Sequence, residues 1–403
     1  MERGKNSAGR PWKVGKLPFV YAPLRLPKNE NGLPDVLPFA LDADARSGVL
    51  VQVPNDEVAS AVTEAYQKGS RVTGTMDAEG IGKQYAEDFL SFLARHDRRK
   101  SLHDAKILEI GCGTGYLLYR LKLLRAEVLG IEPGDHGQEG SRKYRVPIIK
   151  DFFPSESIRD RFDLIIAYGV LEHMVSPRDF LRHVEANLNE RGRIAISVPD
   201  CGPHIGSGDL SMLLHEHWNY FERDTLQNCI RQNTPFDACI QESQFGGALY
   251  AITNERDSVE RTSDVGIVCN PNVLDDYRRA AKKVLSKLAT YFSNATLMKE
   301  SVGVYVPGRA LNALSIIREQ VDLANVRFFD DNNVLHGMYF PGFDTPIECR
   351  EELINAPTER ILIMSRVFGA RIAKELRSVL HSRSALTTWE DIFERELDVR
   401  KPG

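Results

Sequence analysis

A glycine-rich segment in the second quarter of the sequence has the residue types and spacing of a loop that closes around a ligand. Three glycines follow the apolar run Ile107 to Ile110 in ILEIGCGTG. Because glycine has no Cβ, such a loop can turn tightly and bring its backbone, including Cys112, against a nucleotide-like cofactor. A dinucleotide fingerprint requires a glycine where this chain has Tyr116, which disfavours NAD. The three glycines are Gly111, Gly113 and Gly115.

Three acids lie at the ends of consecutive predicted strands, where they can surround the same cofactor. Glu109 would repel a pyrophosphate, but it would attract the cationic methionyl amine and sulfonium of S-adenosylmethionine. Glu132 ends the next run and is placed to accept both hydroxyls of an adenosine ribose. Asp151 can accept from the adenine amine, with Phe152 beside the ring. Each acid alone also fits a strand-end surface residue, but together with the loop they predict S-adenosylmethionine as cofactor.

A second group of candidate residues is the run His215-Glu216-His217, followed by Tyr220. Two histidines around a carboxylate can ligate a metal, but no other His/Cys cluster is placed to supply further ligands, so we predict no metal. Histidine titrates near neutrality, and an adjacent carboxylate raises its basicity. Acid/base chemistry is therefore the functional interpretation, and two histidines hydrogen-bonded in a loop are the structural alternative.

The elements that must position these residues lie between residues 106 and 254, where short apolar runs alternate with helical stretches. This alternation predicts a doubly wound α/β sheet of buried parallel strands. Two closing strands, 238–244 and 248–253, predict an antiparallel hairpin at the edge. The five parallel runs are 107–110, 128–131, 147–149, 164–167 and 194–198.

Two further regions flank this sheet. A proline-rich segment from Lys16 to Val53 and a helical pattern after it predict an irregular and helical lead-in. After a predicted connecting helix over 273–292, alternating apolar runs and helices predict a second, C-terminal Rossmann-like domain. The predicted domains are the lead-in at 1–72, the cofactor-binding domain at 73–256, the connector at 257–300 and the second domain at 301–403.

Composition restricts the class of partner and the compartment. The 403 residues include 52 Lys+Arg and 56 Asp+Glu, and a net charge of -4 gives no long-range attraction to nucleic acid or anionic lipid. The six cysteines form no C-x-x-C pair, and no apolar run reaches the length of a membrane helix. We therefore expect a cytoplasmic monomer or homodimer without a nucleic-acid or membrane partner.

Three segments together resemble the class I methyltransferase family. E-I-G-C-G-T-G corresponds to its first motif, G-I-E-P to its acidic second motif, and F-D-L-I-I-A-Y-G-V-L-E-H to its fourth strand and following turn. The resemblance covers about residues 75–255. It implies that Ala167, Tyr168 and His173 line the cofactor pocket; the structural alternative is that His173 caps the next helix.

A closer resemblance links the chain to the sugar C-methyltransferases that act on nucleotide-linked 4-keto-deoxyhexoses. It rests on H-E-H-x-x-Y-F, F-G-G-A-L-Y, D-D-N around Asp331 and P-G-F-D-T-P-I, and it extends over about residues 75–380. The cysteines of that family's N-terminal zinc-binding module are missing here, so residues 1–72 are interpreted as its degenerate remnant. Leu214 stands where the family usually has a tyrosine.

This resemblance implies C-methylation of a nucleotide-linked keto sugar. His217 would be the general base that removes a proton next to the keto group, Glu216 and His215 would assist, and Tyr220 would bind sugar. The alternatives are O- or N-methylation of another small sugar-like metabolite, a non-catalytic nucleotide-sugar-binding protein, and an NAD-dependent sugar oxidoreductase.

Overall fold

The structure is a computed structural model that describes residues 10–27, 32–67, 80–96, 102–255, 270–366, 368–380 and 384–394. The strands are β1 (Trp12–Pro18), β2 (Val36–Ala43), β3 (Leu50–Gln52), β4 (Lys106–Ile110), β5 (Glu127–Ile131), β6 (Ile148–Ile149), β7 (Phe162–Tyr168), β8 (Leu188–Pro199), β9 (Asn219–Tyr220), β10 (Phe236–Glu242), β11 (Ala248–Glu255), β12 (Val302–Tyr305), β13 (Arg327–Phe329), β14 (Ile347–Glu348), β15 (Arg360–Ile363) and β16 (Ala385–Thr388). The helices are α1 (Asp56–Gln67), α2 (Gly80–His96), α3 (Tyr116–Leu123), α4 (Asp135–Tyr144), α5 (Pro177–Ala186), α6 (Gly202–Ser207), α7 (Arg223–Asn233), α8 (Val273–Met298), α9 (Leu311–Ile317), α10 (Arg350–Asn355), α11 (Gly369–Leu380) and α12 (Trp389–Glu394).

A seven-stranded sheet of order β10-β11-β8-β7-β4-β5-β6 forms the centre of the fold. Its strands are buried on both faces: Leu108 and Ile165 pack into one hydrophobic cluster, and Ile107 and Ile166 into another. β4 to β8 run parallel, and β11 is antiparallel to both of its neighbours. The predicted α/β fold class and its antiparallel edge are therefore confirmed.

A second sheet of order β14-β13-β12-β15-β16 is entirely parallel, as predicted for a second α/β unit. Helix α8 links its core to the rest of the molecule and extends six residues beyond the predicted helix over 273–292, to Met298. Leu288 and Phe292 near its end pack into the core of the second sheet, whereas Tyr277 and Ala281 pack beside the N-terminal strands. No helix among the described residues is long and apolar enough to span a membrane.

The N-terminal segment forms a four-stranded antiparallel sheet of order β1-β2-β3-β9, which differs from the irregular lead-in that its prolines predict. The physical reason is an alternation that the prolines obscure, since Leu37, Phe39 and Leu41 on β2 all face a hydrophobic core. The fourth strand, β9, comes from a distant part of the chain. The proline-rich segment therefore packs directly beside the residues that follow His217.

Candidate active site

The predicted cofactor residues lie along one edge of the central sheet, because parallel strands end at the same side. The register pairs Ile110 with both Ile131 and Ala167, and Ile131 with Ile149. Glu109, at the penultimate position of β4, therefore faces the loop edge together with the residues that follow β5 and β6. The structure brings together the side chains that the sequence placed on consecutive strand ends.

The glycine loop has a left-handed backbone at each of its three glycines, with φ of 65° at Gly111, 53° at Gly113 and 73° at Gly115. Residues with a Cβ rarely adopt this conformation, so the spacing of the glycines is a requirement of the turn. The amides of Gly111 and Cys112 donate to the carbonyl of Ile131 at 2.8 and 3.3 Å. These bonds fold the loop back over the end of β5.

The two acids of this edge have different partners. Glu132 accepts from the amides of Gly113 at 3.0 Å and Gly134 at 2.9 Å, and so joins two loops. Glu109 is only 3% exposed, and its Oε2 has no hydrogen-bond partner among the described residues. Burial, together with the charge of Glu132, raises the pKa of Glu109 well above its ordinary value. A cationic group of a ligand would complete the bonding of this carboxylate.

Asp151 and Phe152 lie on the rim beyond β6. Asp151 accepts from the Ser155 hydroxyl at 2.6 Å and from the Phe152 amide at 2.8 Å, and both bonds lower its pKa. The Phe152 ring is 63% exposed. An exposed aromatic face beside a carboxylate is a suitable surface for a planar base.

Ala167 is buried at the end of β7, and Tyr168 follows it into an aromatic cluster. The Tyr168 ring lies 5.1 Å from that of Phe89 on α2 and 6.3 Å from that of Tyr250 on β11. Burial raises the pKa of Tyr168 to about 12. Helix α2 therefore contributes a wall to this edge of the sheet.

The H-E-H run forms a turn in which the amide of His217 donates to Leu214 at 2.9 Å. His215 is buried with Nε2 3.2 Å from the carbonyl of Leu37, between two phenylalanine rings. The buried hydroxyl of Tyr220 donates to the carbonyl of Leu214 at 3.0 Å and accepts from its amide at 3.2 Å. The assisting role expected of His215 and the sugar-binding role expected of Tyr220 do not fit these positions, because both side chains hold the turn.

His217 lies close to Glu172 and His173 in the turn that follows β7. The sequence prediction did not include Glu172 among the site residues. Its ring lies 4.7 Å from that of His173, nearly perpendicular to it. Ligand atoms of Glu172, His173 and His217 all lie within 4.8 Å of one another. The expectation that no further ligand lies near the H-E-H run is thus corrected for His217. The sequence feature that could have identified Glu172 is its position directly before His173 in V-L-E-H.

Burial dominates the electrostatics of these three side chains. It lowers the pKa of His173 to about 4. It also lowers the pKa of His217 well below its ordinary value, and the charges of His173 and Arg309 add to this second shift. Burial raises the pKa of Glu172 to about 8, and the nearby carboxyl of Glu216 adds to this shift. Both imidazoles are therefore neutral at physiological pH and carry a lone pair.

Arg309 lies in the turn after β12, in the second unit, and its positive charge acts on His217. Its side chain is exposed and makes no hydrogen bond or ion pair with any described part of the chain. Its charge acts to lower the pKa of His217, Tyr21 and Tyr85.

The family model of a methyltransferase domain matches residues 78–233, which contain both the glycine loop and the H-E-H turn. This part of the chain is a methyltransferase domain. The predicted enzyme class is confirmed by this match, and the cofactor that such a domain requires is S-adenosylmethionine. The finer prediction of a sugar C-methyltransferase is not part of the match.

Curated relatives align with the methyltransferase domain over a limited stretch. The ubiquinone biosynthesis O-methyltransferase of Bradyrhizobium diazoefficiens is 30% identical over 103 residues, which cover 23% of this chain and 39% of the relative. The tRNA U34 carboxymethyltransferase of Pseudoalteromonas translucida is 33% identical over 105 residues, covering 23% of this chain and 31% of the relative. The chain thus spans less than half the length of these relatives.

Solved structures of methyltransferases also align with the chain. The 1,6-didemethyltoxoflavin-N1-methyltransferase of Burkholderia thailandensis, with bound S-adenosylhomocysteine, has a TM-score of 0.39 and 16% identity, covering 54% of this chain and 96% of that one. The magnesium protoporphyrin IX methyltransferase of Synechocystis PCC 6803, with bound S-adenosylmethionine, has a TM-score of 0.34 and 13% identity, covering 50% and 94%.

Proposed function

We propose that the protein transfers a methyl group from S-adenosylmethionine to a small-molecule acceptor, with a nucleotide-linked keto sugar as the leading candidate. The observation that carries this proposal is the buried carboxylate of Glu109. One of its oxygens has no partner among the described residues, and it lies directly before the glycine loop. Such a group is costly unless a ligand with a positive charge completes it.

The residues of the donor side fit this cofactor. Glu109 would bind the methionyl amine, and the loop from Gly111 to Gly115 would contact the rest of the methionyl moiety. Glu132 would accept hydrogen bonds from the ribose hydroxyls, because its two hydrogen bonds with backbone amides leave further lone pairs free. Asp151 and Phe152 would contact the adenine. Ala167, Tyr168 and His173 would line the wall of the pocket. When bound, S-adenosylmethionine supplies an electrophilic methyl group.

On the acceptor side, we propose that His217 is the general base. Its Nε2 has no hydrogen-bond partner within the described residues, and burial keeps the imidazole neutral. Nε2 takes a proton from the carbon next to the keto group, and the electron pair of the broken C–H bond passes to the keto oxygen. The guanidinium of Arg309 stabilises the negative charge that develops on this oxygen. Glu216 helps to position the turn through its backbone carbonyl, which lies 3.1 Å from Nδ1 of His173.

The second parallel sheet supports an acceptor with a nucleotide portion. Its central strand β12 leads into the turn that carries Arg309, and the strand order changes direction between β12 and β15. Parallel α/β sheets bind ligands at such a reversal, beyond the carboxyl ends of the strands. Together with the segments shared with sugar C-methyltransferases, this arrangement favours a nucleotide sugar over a smaller acceptor.

Isothermal titration calorimetry with S-adenosylhomocysteine and with NAD tests the donor side. We expect one equivalent of S-adenosylhomocysteine to bind and NAD to give no heat. Binding of NAD alone would instead support a sugar oxidoreductase and end the proposal.

Mass spectrometry of a nucleotide-sugar panel, incubated with the protein and S-adenosylmethionine, tests the acceptor. A mass gain of one methyl group on a 4-keto sugar, retained after mild acid cleavage of any enol ether, supports C-methylation. The named activities of the ubiquinone biosynthesis relatives make oxygen the second candidate acceptor atom. Binding of donor and nucleotide sugar without any methylated product would support the non-catalytic alternative.

A further inference from the structure

Three buried side chains from two separate turns converge beside the central sheet. Glu172 and His173 belong to the turn Leu171–His173 that follows β7, and His217 belongs to the turn that precedes β9. Their nearest ligand atoms lie within 4.8 Å of one another. Two ligands of a single zinc ion lie roughly 3 to 3.5 Å apart, as tetrahedral bonds of about 2.1 Å require. Small rotations of these side chains would reach that separation.

Two of the three side chains have an atom that could bind a metal and that lacks a partner among the described residues. Glu172 is 3% exposed and His217 is 4% exposed, yet Oε2 of the former and Nε2 of the latter make no hydrogen bond with any described residue. Leaving a carboxylate oxygen and an imidazole nitrogen buried and unsatisfied is energetically unfavourable. A cation between them would satisfy both atoms at once.

The third side chain is oriented by a bond behind it. Nδ1 of His173 lies 3.1 Å from the backbone carbonyl of Glu216, to which it donates in the tautomer that leaves the lone pair on Nε2. This Nε2 lies 3.9 Å from Oε1 of Glu172, on the side of the cluster. Histidines that bind metals are usually oriented by such a bond from the other ring nitrogen to a carbonyl.

We propose that Glu172, His173 and His217 form a binding site for a divalent transition-metal ion, with Zn²⁺ as the best match. Two imidazoles and one carboxylate are a typical ligand set for zinc, and they leave a fourth position open. Mg²⁺ is a poor match, because it prefers oxygen ligands.

The metal site goes beyond the proposed function and has a consequence for it. A metal ion and a substrate proton would need the same lone pair, that of Nε2 of His217. If His217 is the base, which rests on the proposed function, then Zn²⁺ bound to the cluster inhibits methyl transfer.

Titration of the EDTA-treated protein with ZnCl₂, followed by calorimetry, tests the site. We expect one equivalent of Zn²⁺ to bind, no heat with MgCl₂, and a Co²⁺ adduct with the visible absorption of a four- or five-coordinate ion. His173→Ala and Glu172→Gln should each weaken Zn²⁺ binding at least tenfold. His183→Ala, which removes an exposed histidine on α5, is the matched control. An unchanged circular dichroism spectrum of each variant shows that it is folded.

The possible results separate the two proposals. Absence of stoichiometric Zn²⁺ binding, or binding unchanged in both cluster variants, overturns the metal site and leaves methyl transfer untouched. Binding with inhibition that EDTA reverses supports both the site and the base. If Zn²⁺ binds to the cluster and methyl transfer requires it, the site stands, but His217 is a ligand and its role as base is wrong.

Discussion

The donor side and the acceptor side of this methyltransferase domain are constructed in different ways. Most residues proposed for the donor side come from one continuous stretch, residues 109–152, in which they lie at or shortly after the ends of the strands. The acceptor side is assembled from regions far apart in the chain. Gln52 donates to the carbonyl of His215 at 3.0 Å, across 163 positions, and Asn312 donates to that of Leu213 at 2.9 Å. Local spacing determines the first pocket, and long-range packing determines the second.

The largest expected difference between the two sides follows from His217→Ala. Removing a general base costs roughly 10² to 10⁴ in rate, so we expect methyl transfer to fall by about this factor while affinity for S-adenosylhomocysteine changes less than about threefold. Single-turnover rates and calorimetry measure the two quantities. His183→Ala is the control, since its ring is exposed on α5. Full activity of His217→Ala would place the base elsewhere.

Glu109→Gln should instead weaken cofactor binding and leave the acceptor side unchanged. A charge-assisted hydrogen bond contributes about 1.5 to 3 kcal/mol, so affinity for S-adenosylhomocysteine should fall roughly 10- to 100-fold. Zn²⁺ binding by the acceptor side should be unchanged. Glu127→Gln, at the exposed start of β5, is the matched control. Unaltered cofactor affinity in Glu109→Gln would show that this carboxylate is not the donor contact.

A smaller loss on the donor side is expected from Gly140→Ala in α4. A Cβ at this position would lie 1.9 Å from the carbonyl oxygen of Thr114 in the glycine loop, so the helix or the loop must move. Overpacking of this kind costs about 1 to 3 kcal/mol, measurable as a lower melting temperature and weaker S-adenosylhomocysteine binding. Gly206→Ala in α6 has open space around it and should lose neither. Equal behaviour of the two variants would contradict the packing of α4 on the loop.

The smallest effect is expected from Tyr220→Phe, which removes only the hydroxyl that holds Leu214. Its amide and carbonyl partners are buried, so the loss is about 1 to 2 kcal/mol of unfolding free energy, with a modest fall in kcat/KM and no change in cofactor affinity. The same change at Tyr291, whose buried hydroxyl has no partner in the described part of the chain, should cost nothing. Urea denaturation compares the two variants. A greater loss at Tyr291 would reject this role for the hydroxyl of Tyr220.

The sequence predicted the central sheet and the turn of the glycine loop well, because their determinants are local. The positive φ of Gly111 demands glycine, and an acid directly after a buried strand must lie at the sheet edge. The apolar runs and the helical stretches between them also predicted the parallel strands, the antiparallel hairpin and the second sheet. These features depend on neighbours within a few residues.

The acceptor side was predicted in part, because its determinants are distant. His215 and His217 look equivalent in the sequence, but a turn sends one against Leu37 and the other toward Glu172. No spacing rule distinguishes them, since the ring of His215 bonds to a strand 178 positions away, whereas the ring of His217 lies against the turn that follows β7. Arg309 was missed for the same reason, because only the packing of the second unit places its charge beside His217.

The pairing of β3 with β9 has a consequence for the order in which the molecule is completed. β1 to β3 leave the ribosome long before Asn219 and Tyr220 are synthesised, so one edge of the N-terminal sheet waits without its last strand. Closing so long a loop is entropically costly and comes late in folding. The cofactor loop, with its local contacts, can be in place much earlier. In a newly made chain, the turn that presents His217 is therefore completed only when this long-range pairing forms.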